Sequence, residues 1–316
     1  MVVHLCNEKL EDYVKLLNFH WRFVLVVCVL NLSFAVVAVL GNVLVIRALM
    51  KAKTISATLR PLFLSLAVSD LTVGLFAQLM VGVVMAVMFQ MSAGGNFNSD
   101  SFCPFIVTIS QLSLYGLVTA SVLSVAAIAI DRLLAVSLHL RYRELVTPRR
   151  TIIVVTLSWI SSGIIASIYM FLPNYNDIVG VFMEVLVLLV TAIAYCRIYK
   201  VVLYHRNQIQ SQISHQEAIE FAREKRSSLN TFCVFAVLLA CYLPDLCCGI
   251  LILAEESRRQ FLIAFHASGF LVFLNSSINP VIYYWRYQEI RRIMKNTVRS
   301  CIRRKLVMRQ CRISSL

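Results

Sequence analysis

One acid stands alone in the apolar stretch Leu66-Ala67-Val68-Ser69-Asp70-Leu71, and a carboxylate so placed needs a partner, water or a task. Asn42 follows Gly41 in an earlier apolar run, and Asn275, Asn279 and Tyr283 recur at i, i+4 and i+8, which stacks them on one helical stripe. Leu114, Ser121 and Arg132 lie 7 and 11 residues apart and so share a face as well. A carboxylate among hydroxyl and amide oxygens is a hard-oxygen set suited to a small cation whose shell water completes. The same residues also read as a polar core satisfied internally, and both readings stand. Arg132, beside Asp131, and Glu224, within Arg223-Glu224-Lys225-Arg226, fall at the same depth on two different runs. Either they clasp two helix ends together, or Glu224 pairs with Arg223 and Lys225. Asp245, directly after Pro244, and Glu184 are further acids in apolar runs. Asp245 lies where a ligand cavity between helices would open, or it is a hydrogen-bonded core group.

The elements that position these groups are apolar runs. A hydrocarbon core of about 30 Å needs about 20 apolar residues of helix. The uncharged run from Phe23 to Ile46 is that long, and further runs cover about 60–88, 103–131, 151–173, 178–203, 228–254 and 260–285. With 59% hydrophobic residues in 316, what lies between them is short loop. The expected fold is all-α, a seven-transmembrane helix bundle. Residues 1–21 form an extracellular N-terminus, 22–285 the membrane domain, and 286–316 a cytoplasmic amphipathic helix and basic tail. Orientation follows from the excess of Lys and Arg on the cytoplasmic side: Lys51, Lys53 and Arg60; Arg141, Arg143, Arg149 and Arg150; Arg206, Arg223, Lys225 and Arg226; and the basic C-terminal segment. No cleavage pattern precedes the first run, which then serves as its own insertion signal. Asn31-Leu32-Ser33 and Asn275-Ser276-Ser277 match a glycosylation sequon but fall within spans.

Pro244 and Pro280 sit inside apolar runs and predict kinks, since each removes a ladder hydrogen bond. Beyond them Tyr287, Ile290, Ile293, Met294, Val298 and Ile302 form one stripe among basic residues, the pattern of a helix lying in the lipid interface. Cys301 on that helix is a candidate lipid anchor. Of the ten Cys, Cys28, Cys196, Cys233, Cys241, Cys247 and Cys248 fall inside predicted helices and read as small core residues.

Several function classes are disfavoured. The net charge of +14 has no soluble fold on which to present a nucleic-acid face. A membrane hydrolase needs clustered metal ligands, whereas His4, His20, His139, His205, His215 and His266 are scattered. A transporter or channel would tolerate Asp70, Glu184 and Asp245, but repeat symmetry and paired broken segments are not visible.

Taken in order, Gly41-Asn42-Val43-Leu44-Val45, Leu66-Ala67-Val68-Ser69-Asp70, Asp131-Arg132-Leu133, Trp159, Tyr195 and Asn279-Pro280-Val281-Ile282-Tyr283 resemble the span motifs of rhodopsin-like, class A, G-protein-coupled receptors. The resemblance runs from Gly41 to about Lys305. It implies an extracellular ligand, outward swing of the sixth helix about Pro244, and docking of a heterotrimeric G protein against Arg132, with Tyr195 and Tyr283 stabilising the open form and Pro280 kinking the seventh helix. It further implies an allosteric sodium ion, the only metal expected, at Asp70, Ser121, Asn275 and Asn279, with no required cofactor. The implied pocket takes in Gln111, Leu114, Tyr115, Tyr242, Asp245 and Phe273, and its ligand is a small molecule, a lipid or a peptide. Tyr242 stands where the family usually has Trp, and Val187 where the fifth span usually has Pro. The fourth-to-fifth loop lacks the usual Cys, so the usual bridge to the third span cannot form; Cys6 and Cys103, both on the outer side, are a candidate pair or two free thiols. These departures resemble the branch holding melanocortin, lysophospholipid, cannabinoid and adenosine receptors. Asp131 to Thr147 and Tyr283 to Arg292 are locally most similar to adenosine receptors, yet Gly249 and Phe273 replace the Asn and His expected for adenine binding. Leu114 lacks the carboxylate of amine receptors, and Phe273 is not the Lys that links retinal. The alternative within this resemblance is an orphan receptor that signals constitutively or acts by pairing with another receptor.

Overall fold

The computed structural model describes residues 2–92, 99–138, 141–171, 176–208, 215–254 and 258–313. Its elements are α1 (Val2–Lys51), α2 (Leu59–Thr72), a π turn (Val73–Ala77), α3 (Gln78–Ser92), α4 (Ser99–Leu138), α5 (Tyr142–Leu145), α6 (Pro148–Phe171), α7 (Asn176–Gln208), α8 (His215–Ala254), α9 (Arg258–Arg286) and α10 (Gln288–Ile313). Among the described residues there is no strand, as expected where a bilayer offers backbone groups no water. Among the described residues six stretches are long and apolar enough to cross a membrane: His20–Lys51, Leu59–Val87, Leu112–Leu138, Pro148–Ile168, Ile178–Val201 and Phe235–Ala254. α9 carries Ser268, Asn275, Ser276, Ser277 and Asn279 among its apolar residues. All five are buried, so the polarity points into the bundle and the helix packs between α1 and α8.

Several boundaries differ from the sequence expectation. α1 begins at Val2, with a single non-helical residue at His20 (φ −133°, ψ 36°), so the segment expected as a plain N-terminal extension is helical. α4 runs on to Leu138, past Arg132, because nothing in Leu133 to Leu138 breaks a helix. The second span is not one regular helix: within it the Gln78 N–H reaches the Val73 carbonyl, an i to i+5 bond. Such a turn inserts a residue and is often found at functional positions. α1 packs on it at Gly74, where an added Cβ would sit 3.1 Å from the side chains of Ala38 and Val39. Cys28 and Cys241 are buried as expected, but Cys196 and Cys247 are exposed, since a thiol is apolar enough to face lipid as readily as core.

α4 is the central helix, packed on α2, α6, α7 and α8. The main apolar core gathers Leu49, Phe63, Leu66, Val125, Ile128, Leu238, Tyr283 and Ile290 from α1, α2, α4, α8, α9 and α10. Ile152, Ile153, Leu157, Ile160 and Ile164 line the exposed face of α6, where lipid replaces protein.

Pro280 lies inside α9 and has no N–H, so the carbonyl one turn back, on Ser276, loses its helical donor. Asn42 supplies the replacement: its Nδ2 donates to the Ser276 carbonyl at 3.1 Å and to the Ala38 carbonyl at 2.9 Å. The helices can come this close because residue 41 is glycine; a Cβ there would lie 2.8 Å from Cγ of Pro280. Replacing Asn42 by Ala leaves a buried carbonyl unpaired, at a cost of about 1–3 kcal/mol. Thermal inactivation of the purified protein is expected to shift down accordingly, and a variant as heat-stable as the parent would show that the carbonyl finds another donor.

Candidate functional site

Asp70 on α2 is fully buried. Its Oδ1 accepts the hydroxyls of Ser121 on α4 and Ser276 on α9, both at 2.9 Å, and its Oδ2 accepts Nδ2 of Asn279 at 2.7 Å. Three helices therefore meet on one carboxylate. Asn275 is buried nearby on α9, yet among the described residues neither atom of its amide has a partner, and Oδ1 of Asn279 and of Asn42 and the hydroxyl of Tyr283 also lack one. Ser276 takes the contact that the i, i+4 spacing assigned to Asn275. The one signal for it was its place three residues before Asn279, since i and i+3 also share a face. Two turns beyond Asp70, Gln78 Nε2 donates to Asn31 Oδ1 at 3.2 Å and Asn31 Nδ2 to the Gln78 carbonyl at 3.4 Å, a buried pair between α1 and α3 that sequence reading missed. In the sequence Asn31 stands out only as the first residue of a sequon.

At the far end of α4, Asp131 Oδ2 accepts Nε of Arg132 at 3.0 Å and also its Nη2, and the arginine is buried. Asp131 Oδ1 accepts the hydroxyl of Tyr142, on α5, at 2.8 Å, and that hydroxyl lies 3.0 Å from Oγ1 of Thr58, at the start of α2. Neither Tyr142 nor Thr58 was singled out from sequence; the signal available was a Tyr in the loop after Asp131-Arg132. Burial first, then the charge of Asp131, pushes the Tyr142 hydroxyl up to about 12, so it stays a donor. Glu224, the expected clasp partner of Arg132, lies outside the described residues. Between the two clusters the Trp159 indole N–H donates to Oγ of Ser65 at 3.0 Å, and that oxygen is 2.9 Å from Oγ of Ser124.

Aromatic contacts hold the neighbouring helices. Tyr195 on α7 stacks on Phe235 of α8 at 4.8 Å between ring centroids and meets Phe232 edge-on at 5.6 Å. Tyr283, fully buried, packs edge-on to Phe63 at 5.1 Å, and Tyr287 meets the same ring at 5.7 Å. Pro244 lies inside α8.

Of the expected pocket residues, Phe273 is buried beside Leu114, Leu117 and Val118 against the π turn, Tyr242 is buried and Tyr115 half-buried. Asp245 Oδ1 accepts the Ser268 hydroxyl at 2.7 Å, tying α8 to α9. Glu184 Oε1 is buried and among the described residues has no partner. Gly249 is a packing position, since a Cβ there would lie 2.8 Å from Val181 on α7. The side chains of Gln111, Cys6 and Cys103 lie outside the described residues. Cys301 is an exposed free thiol.

Long apolar helices wrapped around a buried polar seam define a multi-pass membrane protein. The family described as 7 transmembrane receptor (rhodopsin family) matches residues 41–180 and 173–283. The chain belongs to that family and is a G-protein-coupled receptor. Among curated relatives, melanocortin receptor 4 of Danio rerio is 25% identical over 273 residues, covering 84% of this chain and 81% of its own. Adenosine receptor A3 of Ovis aries is 24% identical over 289 residues (84% and 87%), and melanocortin receptor 5 of Mus musculus 25% over 273 (84% and 82%).

Replacing Tyr142 by Phe removes one hydrogen bond to a charged acceptor, about 1.5–3 kcal/mol, while keeping the ring. Ligand-independent nucleotide uptake by a G protein in membranes is expected to rise, and an unchanged basal rate would show that the hydroxyl does not restrain Arg132. Because the Tyr142 hydroxyl is raised to about 12, its contribution to stability is fully present below the ordinary tyrosine value of about 10 and is lost as pH climbs through about 12.

Proposed function

We propose that the protein is a plasma-membrane receptor, N-terminus outside, that binds an extracellular ligand between the outer halves of α4, α8 and α9 and catalyses nucleotide exchange on a heterotrimeric G protein at the Arg132 end, without bond-making chemistry of its own. The observation that carries this reading is the Asp131-Arg132-Tyr142-Thr58 cluster: an always-charged guanidinium held buried against its neighbour is a group that a partner can draw out. The basic loops at that end of the spans support the orientation. The aromatic contacts of α8 with Tyr195 are non-directional and give way to sliding or tilting more easily than hydrogen bonds do. Ligand contacts fall to Leu114, Tyr115, Tyr242, Asp245 and Phe273, with Gln111 at the same level of α4.

The inner cluster fits a sodium ion by its donor chemistry. The Asp70 carboxylate and the hydroxyls of Ser121 and Ser276 are hard oxygens, and the unpartnered buried Oδ1 atoms of Asn275 and Asn279 are acceptors in need of a cation or a donor. A bound cation would supply charge neutralisation to Asp70, and these residues would favour the helix arrangement in which all of them converge.

Replacing Arg132 by Ala is expected to abolish agonist-driven nucleotide exchange at unchanged surface expression, and exchange at the parent's rate would refute the role given to Arg132. Sodium is expected to lower agonist affinity in the parent and to have no effect after Asp70→Asn; a sodium response surviving that substitution removes the ion from this site.

A further inference from the structure

α10 is pinned at its start by one acid. Oε1 of Glu289 accepts the backbone N–H of Lys53 at 3.0 Å, and Oε2 accepts the N–H of Thr54 at 2.9 Å together with the Thr54 hydroxyl. Lys53 and Thr54 lie just past the end of α1, where the chain leaves the helical path and their N–H groups need acceptors from elsewhere. The carboxylate thus satisfies donors of one segment from the first turn of another, far away in the chain.

The charges around this contact are one-sided. Residues 41–69 contain no acid but carry Arg47, Lys51, Lys53 and Arg60; α10 carries nine Lys or Arg and Glu289 as its sole acid. Arg60 on α2 faces the carboxylate, while its Nη2 donates to the Ala52 carbonyl at 2.6 Å. Arg286, at the end of α9, lies over the Trp285 ring. Without Glu289 the loop and the helix are two basic segments in contact, which repel. Apolar docking acts beside it: Ile290 and Met294 are buried, whereas Val298 and Ile302 further along the same helix are exposed.

We infer that Glu289 is a charge latch: its carboxylate keeps the basic α1–α2 loop and the basic α10 together, and neutralising it frees the start of α10 from the bundle and loosens its first turns. The ring contacts of Tyr287 with Phe63 lie just before the latch and hold the end of α9 separately. Hydrogen bonds from the Lys53 backbone, the Thr54 hydroxyl and the Thr54 backbone hold the Glu289 carboxyl below the usual glutamate range. A depressed value means the latch is present above the ordinary glutamate pKa of about 4.3 and is lost as pH falls below it. Mild acidification therefore leaves it closed.

The test is hydrogen–deuterium exchange on the full-length receptor in lipid nanodiscs, parent against Glu289→Gln and Thr54→Val. Glu289→Gln keeps an acceptor oxygen and loses the charge. In that variant at low salt, the amides of Lys53 and Thr54 and those of the first turns of α10 are expected to exchange at least about tenfold faster. Raising salt from about 0.1 M to about 1 M is expected to restore much of the protection, because the Debye length shrinks from about 10 Å to about 3 Å. Thr54→Val, which keeps carboxylate and both N–H groups, is expected to exchange close to the parent. Parent-like exchange in Glu289→Gln would overturn the inference and leave Ile290 and Met294 as the sole anchor. Faster exchange that ignores salt would overturn it too, by assigning the effect to lost hydrogen-bond geometry. Should Glu289→Gln fail to fold, the parent's protection at these amides, corrected for the pH dependence of intrinsic exchange, decides the matter: it is expected to be flat between about pH 8 and pH 5 and to fall once pH drops below the ordinary glutamate value, and protection that stays unchanged there overturns the inference.

Discussion

Proline at position 280 leaves one carbonyl without a donor, and much of the bundle is arranged around the repair. The Ser276 carbonyl is taken by Asn42, which requires α1 at close range, which in turn requires glycine at 41. The same Ser276 turns its hydroxyl to Asp70. One residue thus receives α1 through its backbone and α2 through its side chain. Asn279, the residue before the proline, reaches the other oxygen of the same acid. A backbone defect that would destabilise a lone helix is converted here into a junction of three helices, in keeping with the rule that a membrane interior tolerates broken ladders only where neighbours fill the gap.

From that junction α2 and α4 run antiparallel and meet at three levels. Asp70 meets Ser121, Ser65 meets Ser124 with Trp159 of α6 added, and Thr58 meets Asp131 through Tyr142. Ser121 and Asp131 are ten residues apart, about 15 Å of helix, so one rigid pair spans most of the distance between the two polar clusters. The remaining helices are attached differently. α7 and α8 meet through stacked rings at Tyr195 and Phe235, and α8 meets α9 through the Asp245 to Ser268 hydrogen bond.

Much of this frame was legible in the residues. Apolar runs marked the spans, and Asn42, Asp70 and Asn279 announced themselves because amides and acids are costly in hydrocarbon. Ser276 did not, since serine sits quietly in membrane helices by bonding its own backbone, as Ser158, Ser161 and Ser167 do here. Tyr142 lies in a loop, where an aromatic with a hydroxyl has many possible uses. The grip of Glu289 on Lys53 and Thr54 joins residues more than 200 positions apart, and no periodicity links them. The extent of α1 and α4 was underestimated because hydropathy reports where lipid ends, not where a helix ends. Exposed Cys196 and Cys247 show the converse: residue type reports dislike of water, and lipid satisfies that as well as protein does.

The five-residue turn from Val73 to Ala77 carries one residue more than a regular helix would, which rotates everything after it by roughly 100° about the axis. Gln78, Val81 and Met85 face inward because of that added step. Which side chains wall the mouth of the bundle is therefore a matter of phase rather than of composition. A relative with the same letters but an unbulged second crossing would present a different surface to whatever arrives from outside.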